Sequence, residues 1–160
     1  MDWKQKRAIE WECQRVLRQY YQFVDQRMYV KAANLFTLDV EWQAFEVHLR
    51  SREEIYNGLI DGLAEGTIRH VITNTVINVI DVDHAISRSY NTDYYLPGIK
   101  IEEGDVPLHF KGPHRIEDNY TELKLTNEDW LISKRDVKLI FRRINKPIAL
   151  ESWAKVEGKI

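Results

Sequence analysis

The chain has 160 residues, and its 44% hydrophobic and 30% charged content is typical of one globular domain with a substantial core. The 23 Lys and Arg residues and 25 Asp and Glu residues give a net charge of -2, which argues against a nucleic-acid-binding protein. The single cysteine, Cys13, excludes an intrachain disulfide and a Cys-rich zinc site and suits a reducing compartment. No stretch has the apolar length of a secretory signal or a membrane span, so we expect a cytoplasmic protein without membrane contact.

Apolar residues recur at helical spacing near the start of the chain, which predicts a long helix over residues 3–27. A short helix over 30–36 and an extended segment over 39–47 are predicted next. Because Cys13 falls in the apolar stripe of the long helix, we expect an inert core thiol there. The stripe consists of Ile9, Cys13, Val16, Leu17, Tyr20 and Val24.

Ser51 and Glu54 have the spacing of a capping box. In this motif the Ser51 hydroxyl accepts a hydrogen bond from the Glu54 amide, and the Glu54 carboxylate accepts one from the Ser51 amide. The motif predicts the start of a third helix, and Gly66 is suited to its end. The buried residues of this helix are predicted to be Ile55, Leu59 and Leu63.

From Ile68 onward the apolar period changes to two, which predicts strands. An acidic turn at 81–83 leads into a returning strand over 85–96, and a last hairpin joins 114–125 to 130–144. On the first strand we assign to one face Val71, Thr73, Thr75, Ile77 and Val79. On the returning strand we assign to one face Ile86, Arg88, Tyr90, Thr92 and Tyr94.

Three helices followed by long meandering strands predict an α+β fold. Long strands accumulate twist, so we expect a curved, mixed or antiparallel sheet whose concave face is closed by the helices into a cone with an apolar pocket. We assign residues 1–145 to this single domain and 146–160 to a C-terminal extension, which either packs at a subunit interface or frays. Residues 97–112 hold three of the 7 glycines and two of the 4 prolines and form the candidate lid or linker. The apolar run 139–141 is expected either inside the cone or at a contact between subunits.

Four segments carry a resemblance to a known family. They are Tyr-Tyr-Gln-Phe-Val-Asp at 20–25, Leu-Phe-Thr-Leu-Asp-Val-Glu-Trp at 35–42, Arg-His-Val-Ile-Thr-Asn at 69–74 and Trp-Leu-Ile-Ser at 130–133. In this order and at this spacing they resemble the nuclear transport factor two-like superfamily, and within it the SnoaL-like polyketide cyclase and scytalone dehydratase branch. The resemblance covers roughly residues 8–145 and implies a cystatin-like roll.

In that branch an aspartate ending the first helix and a histidine starting the long strand form a catalytic dyad, and no cofactor is used. The resemblance places this dyad at Asp25 and His70, and it matches the pocket asparagine of the family to Asn119. Scytalone dehydratase has a second histidine on the following strand, whereas this chain has Asp93 and two tyrosines there. The resemblance therefore implies a substrate other than scytalone.

The chemistry of these residue types fits an acid-base enzyme. Imidazole exchanges protons near neutral pH, and a carboxylate on its Nδ1 fixes the tautomer and stabilises the imidazolium. A phenol can hydrogen-bond a developing oxyanion, a role open to Tyr90, Tyr94 or Tyr95. The candidate substrate-binding residues are Tyr21, Trp42, Tyr56, Tyr90, Tyr94, Tyr95 and Asn119, with Phe45 as a further pocket wall.

Two functions remain open from the sequence. The first is a cofactor-independent lyase or isomerase that acts on a small, apolar, oxygenated ring compound and assembles as a homo-oligomer, a dimer or trimer. The second is a non-catalytic ligand-binding or structural subunit that resembles the beta subunit of ring-hydroxylating dioxygenases, which share the fold and lack the dyad. A metal site is not expected, because His109 and His114 have no third ligand.

Overall fold

A computed structural model describes residues 1–63, 65–99 and 112–143. These residues form three helices and one six-stranded sheet, which confirms the predicted α+β fold. The candidate lid, apart from 97–99 and Gly112, and the extension at 146–160 lie outside the described residues. The helices are α1 (Trp3–Asp25), α2 (Tyr29–Ala33) and α3 (Arg52–Leu63). The strands are β1 (Phe36–Ala44), β2 (Val47–Leu49), β3 (Thr67–Val79), β4 (His84–Leu96), β5 (Arg115–Thr126) and β6 (Asp129–Arg142).

The sheet is mixed and has the strand order β2-β1-β6-β5-β4-β3. Strands β3 to β6 form an antiparallel meander, while β1 pairs with β6 in parallel. The α1 helix packs across β3 and also contacts β4 and β6. The core therefore lies between α1, α3 and the inner face of the sheet, and the end of α1 lies beside the start of β3.

The predicted stripe of α1 is confirmed, with all members from Cys13 to Val24 buried in the core and Ile9 half-buried against it. Asp2 caps the helix through a hydrogen bond of 2.9 Å from the Gln5 amide to its carboxylate. The helix ends at Asp25, two residues earlier than expected, because Arg27 has a left-handed φ of 59°. This early end turns the chain at Asp25. No helix of the described residues has both the length and the apolar character needed to cross a membrane.

Two local predictions are wrong in detail. The second helix stops at Ala33 and β1 begins already at Phe36, because the carbonyl of Leu35 accepts a hydrogen bond of 2.8 Å from the amide of Ile132. At the start of α3 the Ser51 hydroxyl does accept from the Glu54 amide, at 3.1 Å. The Glu54 carboxylate, however, accepts from the amide of Arg50 instead of Ser51. The half-formed box still caps the helix.

The faces predicted for β3 are only half right, because a bulge interrupts the strand. The register with β4 shifts between Thr73 and Val76, and Asn74 has a left-handed φ of 51°. Before the bulge the side chains of Ile68, His70 and Ile72 are the less exposed set. After the bulge the less exposed side chains are those of Thr75, Ile77 and Val79. Val71 and Thr73, which the predicted pattern assigns to the same face, are exposed. A strict period of two has no place for the extra residue.

The face predicted for β4 faces outward. Tyr90 and Tyr94 are exposed, while the alternate residues are buried and mostly polar. On β6 the run 139–141 does not line the cone, since Phe141 is 65% exposed and Ile140 is exposed as well. A subunit contact at this run stays a prediction. The buried residues of β4 are Ala85, Ser87, Ser89, Asn91 and Asp93.

Candidate active site

The end of α1 and the start of β3 bring Asp25 and His70 into direct contact. The Nδ1 atom of His70 lies 2.6 Å from Oδ1 of Asp25, and the backbone amide of His70 donates to Oδ2 of Asp25 at 3.1 Å. The Nη1 atom of Arg69 also donates to the carbonyl oxygen of Asp25, at 3.1 Å. Both side chains are largely shielded, with 9% of His70 and 15% of Asp25 exposed. The aspartate thus holds both the ring and the backbone of His70.

This contact determines which ring nitrogen of His70 carries the proton. A carboxylate only accepts hydrogen bonds, so Nδ1 of His70 is the protonated nitrogen. The other nitrogen, Nε2, then has a free electron pair and is the one that can act as a base. The same arrangement stabilises the imidazolium that forms when Nε2 takes up a proton.

His70 forms part of the wall of a cavity of about 240 Å³ inside the cone. The helices contribute Tyr20 and Tyr21 from α1 and several residues of α3, and β1 contributes Trp42. A cavity of about 150 Å³ already holds benzene, so this one has room for a compound with one or two small rings. The polar residues of the wall besides His70 are Asn91, Arg115, Glu117 and Arg135.

Arg135 of β6 is the most deeply buried charge of this wall, with 3% of the residue exposed. Its Nη2 atom donates to the hydroxyl oxygen of Tyr21 at 2.5 Å and to Oδ1 of Asn119 at 2.9 Å. Its guanidinium also lies over the rings of Tyr20, Tyr21 and Trp42, at 4.6, 4.9 and 5.6 Å from their centroids. The three rings and the asparagine hold this cation in place.

A second group of buried charges lies close enough to act on Arg135 and consists of one arginine and two carboxylates, so on its own it carries a net negative charge. Arg115 forms ion pairs with Asp93 and, at 2.7 Å, with Glu117. The other carboxylate oxygen of Glu117 accepts from Nδ2 of Asn91 at 3.2 Å. Asp93 is completely buried and Glu117 almost so. Because opposite charges meet here with additional hydrogen bonds, the cost of removing them from water is partly offset.

Tyr21 connects the arginine to the histidine. Its ring centroid lies 5.0 Å from that of His70, and its hydroxyl oxygen accepts from Arg135. Burial raises the pKa of Tyr21, an effect that the neighbouring charge of Arg135 opposes without cancelling. Tyr21 is therefore a neutral phenol at physiological pH, and its hydroxyl proton can be donated to a ligand.

The structure brings some of the predicted substrate-binding residues to the cavity and leaves others away from it. Tyr21, Trp42 and Phe45 line the cavity, and Asn119 bonds to Arg135 in its wall. Tyr56 packs against the core and is not part of the wall of this cavity. These placements divide the predicted aromatic set into cavity wall and ordinary packing.

The remaining three tyrosines lie elsewhere. Tyr90 and Tyr94 project from the opposite, exposed face of β4, because each follows an inward-facing residue of the strand. Tyr95 donates to the carbonyl of Glu65 at 2.6 Å and borders an outer groove of about 600 Å³. Asp25 borders this groove as well, so the aspartate lies behind His70 as seen from the cavity.

Sequence reasoning missed Arg115, Glu117 and Arg135, as well as Asn91 and Asp93 beside them. A signal was present, since polar residues alternate along β4 and β5 with the same period as the apolar ones. Aromatic content made the other face of β4 look like the inner one. Only the pairing of the strands shows that the polar alternation on neighbouring strands belongs to one face.

Metal ligands are not gathered in any part of the chain that the structure describes. His48 is exposed, and His84 pairs with Glu122 at 3.3 Å. His114 stacks edge-on against Tyr95, with 5.7 Å between the ring centroids. His109 lies outside the described residues.

A curved sheet closed by helices around a cavity defines a cone-shaped α+β protein of the nuclear transport factor two-like class. The family model of the SnoaL-like domain matches residues 5–136, and the chain belongs to this family. The predicted resemblance is thereby confirmed. No curated protein sequence matches the chain significantly.

Several solved structures share the fold. A scytalone dehydratase-like protein from Novosphingobium aromaticivorans superposes with a TM-score of 0.74 at 16% identity, covering 91% of this chain and 93% of that one. ActVI-ORFA from Streptomyces coelicolor has a TM-score of 0.66 at 19% identity, with 82% and 97% covered. A type 2 hexachlorocyclohexane dehydrochlorinase, LinA, has a TM-score of 0.70 at 14% identity, with 91% and 95% covered. At these identities the likeness concerns the fold.

Proposed function

We propose that the protein is a cofactor-independent lyase or isomerase that acts on a small, largely apolar, oxygenated ring compound. The observation that carries the proposal is the contact of 2.6 Å between His70 and Asp25 at the wall of the cavity. The proposal is supported by the family and by neighbours whose names describe a dehydratase and a dehydrochlorinase, both of which are elimination enzymes.

In the proposed reaction Nε2 of His70 removes a proton from a carbon next to a carbonyl or next to the carbon that holds the leaving group. The electron pair of the broken C–H bond forms a C=C double bond, and the C–O bond to the leaving hydroxyl breaks. The imidazolium returns its proton to that hydroxyl, which leaves as water, so atoms and charge balance. Positioned acid-base catalysis of this kind contributes about 10²–10⁴-fold. Asp25 orients the ring and stabilises its charged form.

We assign the stabilisation of a developing oxyanion to Tyr21, in place of the tyrosines at 90, 94 and 95. Tyr21 lines the cavity and lies beside His70, and its hydroxyl oxygen already accepts from Arg135. The adjacent guanidinium makes its O–H a stronger donor, as expected for a group that stabilises negative charge in a site away from water.

The alternative is a non-catalytic ligand-binding or structural subunit. The exposed side chains of Ile140 and Phe141 on β6 favour it, because a large exposed apolar pair marks a contact surface. In this alternative the bond from the His70 amide to Asp25 has the structural role of tying α1 to β3.

The test is an elimination assay on a panel of hydroxylated one- and two-ring compounds. The reaction is monitored by the change in absorbance that a new C=C double bond causes. His70→Gln and Asp25→Asn are expected to reduce turnover by about 10²-fold or more while the fold is retained. His84→Gln is the matched control, since His84 is a histidine paired with a carboxylate away from the cavity. Full turnover in His70→Gln would overturn the role of His70 as the base, and the absence of turnover of every compound by the wild type would count against the enzyme proposal. Co-purification with a larger partner would support the alternative.

A further inference from the structure

Several buried hydrogen-bond donors at Arg135 and next to it have no acceptor among the described residues, whereas the unpaired acceptors, Oδ1 of Asn91 and Oδ1 of Asp93, belong to the neighbouring group around Arg115. Arg135 contacts both Asn119 and Trp42, and all three carry buried N–H groups without an acceptor among the described residues. Leaving a buried donor unpaired costs free energy, so several such donors at one place call for an explanation. The unpaired nitrogens are Nε and Nη1 of Arg135, Nε1 of Trp42 and Nδ2 of Asn119.

Arg135 also lacks a directly bonded counter-ion among the described residues. None of the ion pairs formed within the described residues involves Arg135, whose partners are a phenol and an amide. Glu117 is close enough to act on Arg135 electrostatically. Its carboxylate oxygens, however, are bonded to Arg115 and Asn91. A guanidinium stays protonated even when buried, so it remains a cation that lacks a directly bonded anion.

The position of Arg135 suits a ligand that also reaches His70. Both residues line the same cavity, and Tyr21 contacts each of them. An acidic group on the side of Arg135 would leave the rest of a small ring compound to extend past Tyr21 towards His70. The rings of Tyr20 and Trp42 supply apolar surface for such a ring.

We propose that the cavity binds ring compounds through an anionic oxygen group, such as a carboxylate, that pairs with Arg135. As a statement about the substrate this inference rests on the function proposed above. As a statement about binding it rests on the cavity, and it holds whether or not His70 turns the ligand over. The anion supplies a directly bonded counter-ion for Arg135 and acceptors for the unpaired donors.

The experiment compares two probes of the same shape, 2-naphthoate and its neutral amide 2-naphthamide, by titration calorimetry. The wild type is expected to bind the carboxylate at least about 10-fold more tightly, the effect of one buried charge-assisted hydrogen bond. Arg135→Met is expected to abolish this preference. His70→Gln is expected to keep it, which separates the anion site from the proposed catalysis.

Arg88→Met is the matched control, because Arg88 lies over the ring of Tyr120 on the outer face and borders no part of the cavity. Replacing a buried charge with an apolar residue of similar volume is often tolerated, so Arg135→Met is expected to fold. Should it not fold, the Nε–H signal of Arg135 in the NMR spectrum of the wild type replaces it. This signal is expected to shift saturably with 2-naphthoate and not with 2-naphthamide.

Three results would overturn the proposal. They are equal affinity of the wild type for the two probes, an undiminished preference in a folded Arg135→Met, and the absence of saturable 2-naphthoate binding at millimolar concentration. Loss of the preference in His70→Gln alone would assign the anion to the histidine and would equally overturn it. A wild type that binds 2-naphthoate at Arg135 but turns over no ring compound would leave the anion site standing and remove the enzyme proposal.

Discussion

His70 and Asp93 lie directly opposite each other on β3 and β4, and Arg115 follows Asp93 in the same row on β5. The row thus places an imidazole beside a carboxylate that is already held by a guanidinium. Of these two residues His70 lines the cavity, whereas Asp93 is not part of its wall and is bonded to Arg115. In the proposed reaction the proton therefore travels on His70.

The buried ion pair makes a prediction about stability. Asp93→Ala is expected to lower the free energy of unfolding by about 3 kcal/mol, because it leaves the Arg115 charge with one carboxylate fewer inside the protein. Urea denaturation would measure the change. Asp118→Ala is the control, since Asp118 is exposed on the same sheet and is expected to change stability by less than about 0.5 kcal/mol. Equal effects of the two substitutions would contradict the role given to the buried pair.

A second prediction concerns the tautomer of His70. In the wild type the ¹⁵N spectrum of the ring is expected to show a protonated Nδ1. Asp25→Asn offers only one acceptor oxygen for the two groups that Asp25 now serves, the ring Nδ1–H and the backbone amide of His70. We therefore expect a mixed or reversed tautomer in this variant. The ring of His84 should be unchanged, and an unchanged His70 spectrum would show that Asp25 does not set the tautomer.

A third prediction uses two glycines with opposite expectations. Gly66 has a φ of +123°, which side chains rarely tolerate. A Cβ atom added to Gly66 would lie only 2.6 Å from the carbonyl oxygen of Leu96, so there is no room for a side chain. Gly66→Ala is therefore expected to lose at least about 1–2 kcal/mol of stability. At Gly62, in α3, no atom lies within 4 Å of a built Cβ. Gly62→Ala is expected to gain up to about 1 kcal/mol. Thermal denaturation of both variants tests the contrast, which a shared sign would contradict.

A fourth prediction concerns pH. Burial, with a smaller contribution from Glu12, raises the pKa of the Cys13 thiol from 9.0 to about 12. Between these values the unfolded chain has lost the thiol proton and the folded chain keeps it, so stability falls as the pH rises above about 9. Cys13→Ala is expected to show a shallower loss of stability over this range.

Iodoacetamide provides an independent check on the same thiol. The native protein is expected to resist labelling at mildly alkaline pH, and the urea-unfolded chain is expected to be labelled fully. Rapid labelling under native conditions would show that Cys13 is not held in the core.

The predictable parts of the fold are the helices and strands whose own hydrophobic periodicity indicates their type and their buried face. The stripe of α1 from Ile9 to Val24 repeats over about four turns of helix, and the period of two is maintained through most of β5. The early start of β1 was not predictable, because it depends on a hydrogen bond between Leu35 and Ile132, which are distant in the chain. The same holds for the bulge at Asn74, since asparagine tolerates a left-handed φ without requiring it.

The residues of the site likewise fall into those that local motifs identify and those that only the folded structure places. Asp25 and His70 could be named from motifs at a fixed spacing, whereas Arg135 could be placed only after its neighbours were known. An arginine on a strand near a hairpin usually faces water, and nothing local distinguishes Arg135 from Arg142, which is exposed. The inner position of Arg135 follows from the pairing of β6 with β5, where it faces Thr121 on the buried side.

The parallel pairing of β1 with β6 also determines when the protein can fold during synthesis. Phe36 is translated early, but its partner Ile132 belongs to the last strand. Until β6, the last strand of the described residues, leaves the ribosome, one edge of β1 is unpaired and the part of α1 that contacts β6 lacks its cover. The nascent chain is therefore expected to remain a substrate for chaperones until β6 has been synthesised, and to close its cone in one cooperative step after that point.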